Sequence, residues 1–148
     1  MLHASCHCGA VRLEVARKPR KLTQCNCSIC RRYGAIWAYH SRKSVRVICK
    51  RDALSVYTWR NGTLEFYRCK SCGCVTHHER ARKRRDGTDT LAVNVRNMDD
   101  PERVATIAIK MLDGASTWKV LDECVQPNLF CSPVTMALSQ NDTLGASS

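Results

Sequence analysis

Three groups of cysteines could do chemistry in this chain. Cys6 and Cys8 fall in CHCG, Cys25, Cys27 and Cys30 in CNCSIC, and Cys69, Cys72 and Cys74 in CKSCGC. Disulfides are a poor use of such spacing. A ring closed across one intervening residue is strained, and the total of eleven cysteines is odd, against a complete disulfide framework. Thiolates at short, repeated spacing suit a metal ion, and zinc prefers four of them in a tetrahedron, taken from two knuckles distant in sequence.

The C-x-C pair near the start and the C-x-x-C-G pair after an apolar run can meet in that way. The expected closed site is therefore Cys6, Cys8, Cys69 and Cys72, with Gly73 supplying the tight turn. The middle group then offers three thiols, Cys25, Cys27 and Cys30, and no obvious fourth. Three protein ligands with one vacant position is the arrangement of catalytic zinc. The alternative is a second closed site completed by Cys74, Cys49, His77 or His78. Cys49, Cys124 and Cys131 stand alone and read as small buried or surface residues.

The elements that must position these groups read mainly as strands. Residues 11–16 (VRLEVA) alternate apolar and polar, the period-two pattern of a half-buried strand. Residues 35–40, 44–49, 54–59, 64–68 and 91–96 carry the same β-rich character. Arg60-Asn61-Gly62-Thr63 lies between two of these runs, and Asn-Gly there predicts a hairpin. CNCSIC leads into Arg31, Arg32, Tyr33 and Gly34, a single helical turn ended by glycine. Residues 101–112 are the only stretch that could hold a longer helix, although Val, Thr and Ile weaken it. A late strand or turn is expected at 118–121. The organisation is one mainly β domain over 1–126 with short helical turns, followed by a polar tail over 127–148 that is partly disordered.

Composition bounds the class. The length of 148 residues suits one domain with its own core. No apolar run approaches the ~20 residues of a membrane helix, and the N-terminus does not read as a signal peptide. Free thiols and no leader imply a reducing, cytoplasmic setting. The formal charge is +11. Two thiolate-zinc sites would lower it to about +8, which still suits an anionic ligand.

The order SCHCGAV, CNCSICRRxG and FYRCKSCG resembles the glutathione-dependent formaldehyde-activating enzyme family, to which centromere protein V is related. The likeness runs from Ser5 to about Glu123, through NMDDPE and Trp118. It implies a β-tent fold related to zinc ribbons, with two Zn²⁺ per chain. One, structural, would sit on Cys6, Cys8, Cys69 and Cys72, and the second on Cys25, Cys27 and Cys30. The implied activity is that of a carbon–sulfur lyase, in which glutathione or another thiol condenses with formaldehyde to S-hydroxymethylglutathione. Glutathione carries two carboxylates, for which the guanidinium forks of Arg31 and Arg32 are apt partners. Cys74 stands where the family usually carries no thiol, so it is a candidate to fill the vacant corner.

A different class of function is a zinc-stabilised binding module, with nucleic acid as partner. RARKRR (80–85) is the most basic run, but neighbouring DGTD marks a solvated loop and no aromatic residues interleave for base stacking. His77 and His78 are expected to face opposite ways, one inward and one outward. Tyr33, Trp37 and Tyr39 are core or cleft lining, and Trp118 is core or pocket wall.

Overall fold

The computed structural model describes residues 1–82 and 84–124. Its architecture is mainly β, in two sheets. The smaller has the order β1 (Leu2–Ser5), β2 (Val11–Val15), β5 (Val45–Cys49). The larger has eight strands in the order β11 (Val120–Cys124), β10 (Ile109–Leu112), β3 (Leu22–Cys25), β4 (Ile36–Ser41), β9 (Thr90–Asn94), β8 (Val75–Arg80), β7 (Leu64–Cys69), β6 (Leu54–Trp59). Among the described residues only two α-helices occur, α1 (Cys30–Tyr33) and α2 (Glu102–Ala105), beside two 3-10 turns. None is long and apolar enough to cross a membrane.

The period-two pattern of β2 buries Val11, Leu13 and Val15 completely. They pack with Leu22, Ile36, Ala38, Leu91, Val93 and Ile109 from one face of the large sheet. Burying such side chains contributes about 1.5–3 kcal/mol each. The opposite face of the same sheet carries a second, smaller core of Trp37, Phe66 and Ala92 against Cys25, Cys27 and Cys30. The large sheet is thus a partition with a thiol group served by each side. The hairpin at Asn61-Gly62 forms as the sequence implies, with Arg60, Asn61 and Gly62 all at positive φ.

Several expectations are corrected by tertiary context. Residues 101–112 hold one helical turn and then β10, because the β-branched run pairs in parallel with β3, Ile109 opposite Leu22. The strand expected over 91–96 stops at Asn94, whose side chain accepts from the Arg96 N–H and starts a 3-10 turn. His77 and His78 do alternate faces, but both are buried, since β8 is central and covered on both sides. The expected tail at 127–148 and Cys131 lie outside the described residues.

Candidate metal centres

The four-thiol group is built from two hairpin turns. The chain between β1 and β2 forms one knuckle, with Gly9 at φ +73° and its N–H donating to the Cys6 carbonyl at 2.9 Å. The chain between β7 and β8 forms the other, with Gly73 at φ +74° and its N–H on the Cys69 carbonyl at 2.9 Å. A side chain with a Cβ tolerates that backbone poorly, so the glycine after each C-x-C or C-x-x-C is a geometric requirement.

The knuckles face each other, and the Sγ atoms of Cys6, Cys8, Cys69 and Cys72 lie within 4.8 Å of one another. Cys8 is 3.6 Å from Cys6 and from Cys69. A tetrahedron with metal–sulfur bonds near 2.3 Å has edges of about 3.8 Å, so the spacing fits thiolate zinc. Backbone N–H groups already favour thiolate there. The Cys74 N–H pulls Cys72 down to about 6, and the Cys72 N–H lowers Cys69. A cation on this group would fasten the small sheet to the large one.

Cys74 belongs here and not with the middle trio. Its thiol meets Cys72, and it packs against the core beneath the knuckles. His77 stacks on Tyr67 at 4.5 Å and bonds Thr76 through Nδ1 at 2.9 Å. Cys49 is exposed at the end of β5. The residues that might have closed the second site are placed elsewhere, apart from His78, whose ring packs edge-on to Trp37 at 4.5 Å.

The trio sits where β3 turns through α1 into β4. Cys25 ends β3, Cys30 opens α1, and Gly34 ends the turn in the left-handed region at φ 58°. All three Sγ atoms lie within 4.8 Å of one another, all three residues are buried, and among the described residues no fourth Cys, His, Asp or Glu joins the group. Three contacts prepare the sulfurs for negative charge. The Cys27 N–H donates to Cys25 Sγ at 3.4 Å, the Trp37 indole N–H donates to Cys30 Sγ at 3.2 Å, and Gly114 presents its N–H to Cys25. The Cys25 thiol is pushed down to about 6, first by the bond it accepts from Cys30. As that donor, Cys30 is held well above its ordinary value.

Sequence reasoning missed the wall opposite. Gly114, between β10 and β11, is buried, and a Cβ built on it would collide with Cys25 Sγ. The segment is locked by Asn26, the middle residue of C-N-C. Its amide donates to Asp113 at 3.0 Å and accepts from the Ala115 N–H at 2.9 Å. Asp113 in turn accepts from the Thr117 N–H and hydroxyl at 3.0 and 2.8 Å. Trp118 follows, at positive φ and half exposed, with the Arg60 guanidinium 4.3 Å from its ring centroid. Trp118 is neither core nor part of the cleft lining.

A cleft of 230 Å³ opens beside the trio, lined by Cys25, Cys30, Arg31, Arg96, Met111 and Leu121 among others. Arg31 is exposed on its rim, and Arg96 donates through Nε to the Gly34 carbonyl. Arg32 instead turns to the knuckle, donating to the Ser28 carbonyl at 2.7 Å. In the basic run Arg84 and Arg85 are exposed, and Arg84 donates to Asp89 and Thr88.

Two comparisons bear on this arrangement. A solved protein structure from Rhodobacter sphaeroides is 31% identical, superposes with a TM-score of 0.57, and covers 72% of this chain and 98% of its own. The family model described as glutathione-dependent formaldehyde-activating enzyme matches residues 1–111, three quarters of the chain and every cysteine of both groups. With the two thiol groups assembled on opposite sides of one sheet and all seven of their cysteines inside the match, the chain belongs to the glutathione-dependent formaldehyde-activating enzyme family.

Proposed function

We propose that this protein joins a small thiol, glutathione or a relative, to formaldehyde, or splits the adduct, as a carbon–sulfur lyase with two zinc ions. Cys6, Cys8, Cys69 and Cys72 hold the structural ion. Cys25, Cys27 and Cys30 hold the second. The observation that carries the reading is the buried trio with three donors and an adjoining cleft.

When bound there, zinc supplies acidification of an incoming thiol, since a cation stabilises thiolate strongly. The chain's own residues do the rest. Trp37 donates to the Cys30 sulfur, and the Cys27 and Gly114 N–H groups face Cys25, so two of the three sulfurs are held in direction and Cys25 is favoured as thiolate. Gly114 leaves the space beside Cys25 empty of side chain. Arg31 and Arg96 set positive charge on the cleft, where a glutathione carboxylate would orient the thiol toward the trio. In the reaction the thiol gives up its proton, its sulfur attacks the formaldehyde carbon, the carbonyl electron pair moves to oxygen, and that oxygen takes up the proton. The product is the S-hydroxymethyl adduct, a hemithioacetal, and reversal expels formaldehyde and returns the thiol.

Exchange NMR of formaldehyde with glutathione tests this directly. The protein should raise the exchange rate above the uncatalysed reaction, and Cys27→Ser should return it to that baseline. Equal rates with and without protein would overturn the reading.

A further inference from the structure

A second cleft lies away from the trio and shares no lining residue with the first. It arises from a mismatch in strand length. β3 and β4 pair only at Thr23–Trp37 and Gln24–Ile36, while β4 continues to Ser41 on the arm of β9. Residues 16–21, turned by buried Pro19, swing away from that free edge and leave a cleft of 720 Å³. Arg17, Lys18, Arg20, Lys21, Lys43 and Lys110 line it, and no carboxylate does. Only Lys21 is ion-paired, with Glu123 at 2.8 Å. Among the described residues no acidic side chain is paired with the other five.

So many like charges around one concavity repel one another, and a resident anion would relieve them. The walls add neutral features. Tyr39 presents a ring that is 47% exposed, buried Thr23 brings a hydroxyl, and buried His40 has an Nε2 without a hydrogen-bond partner. Arginine forks match phosphate oxygens in pairs, and lysines add point charge. The volume falls in the range of small-molecule sites. A strand of nucleic acid would call for a longer basic track with several stacking rings, and one ring stands here.

We infer that this cleft binds a small organic phosphate of mononucleotide size, with its phosphates on Arg17, Arg20, Lys43 and Lys110 and its ring against Tyr39. The site is independent of the thiol chemistry, so either reading can fail alone. Titration calorimetry of the full, zinc-loaded chain with ADP, at about 0.15 M salt to screen loose surface pairing, reads it out. One ADP should bind per chain, with inorganic pyrophosphate competing. The double variant Arg20→Ala/Lys43→Ala, both exposed positions, should weaken ADP by about tenfold or more, whereas Arg85→Ala, at a basic residue that does not line the cleft, should not. Absence of ADP binding would overturn the inference, as would equal weakening by Arg85→Ala. Preference for duplex DNA, with affinity falling linearly in log salt, would also overturn it and mark a polyanion surface instead.

Discussion

The Trp37 indole N–H reaches the Cys30 sulfur at 3.2 Å from a side chain with no exposed surface. That bond ties the trio to the core of the large sheet, so the geometry of the three sulfurs depends on the packing of Trp37 against Phe66 and His78. Hydrogen bonds to charged groups contribute about 1.5–3 kcal/mol. Trp37→Phe keeps most of the ring and removes the donor. Zinc release from the trio to a chromogenic chelator should then speed up by about tenfold or more, with the four-thiol ion unchanged. Unaltered release would show that the indole only fills space.

Gly114→Ala is expected to be severe for its size. The new Cβ meets Cys25 Sγ and the Cys27 Cβ, the latter at 3.0 Å, and these atoms belong to the buried trio and have little room to yield. The variant should fold, since the four-thiol group and main core are untouched, but should bind one zinc fewer than the parent. Metal analysis beside far-UV circular dichroism checks both halves.

The two thiol groups should respond differently to losing one ligand. Structural zinc in small domains is worth about 10–16 kcal/mol, against a net stability of about 5–15 kcal/mol. Cys69→Ser removes the staple between the two sheets, so the loss exceeds what the core can offset and the chain should unfold. Cys27→Ser should leave a cooperative unfolding transition while abolishing thiol exchange. If both variants unfold alike, the trio is a second staple.

Acid should destabilise this fold through its buried histidines. Burial lowers His78 to about 4 and His77 to about 3. Below about 6.5, the ordinary histidine value, the unfolded chain takes up protons that the folded chain refuses. Stability present above that pH is therefore lost progressively as pH falls toward 4. His78 Nδ1 also lacks a partner, among Trp37, Tyr39 and Phe66. His78→Phe should match or exceed the parent at pH 7 and show a shallower decline between pH 6.5 and 4 in denaturant midpoints. Parallel slopes would contradict the assignment.

Much of this molecule could be read along the chain because its signals are local. A knuckle needs cysteines and a glycine within five residues, as at Cys69 to Gly73, and a hairpin announces itself at Asn61-Gly62. The features that escaped depend on residues distant in sequence. β10 reads as helix until its parallel partner β3 is known. Gly114 looks like an ordinary turn glycine, and only the fold brings Cys25 to it. Asn26 seems a spacer between ligands, yet it locks residues 113–117 against the trio. Both histidines of β8 are buried because strands on either side and cores on both faces enclose them, which period-two reasoning about one half-buried strand does not capture.

In the function proposed above, the second cation takes three sulfurs from the chain and a fourth from its substrate. X-ray absorption at the zinc edge counts sulfurs directly. With one four-sulfur and one three-sulfur ion per chain, the mean should be about 3.5 sulfurs per zinc, rising to about 4 on adding glutathione. A mean of 4 before any thiol is added, or a value that glutathione leaves unchanged, would contradict the account.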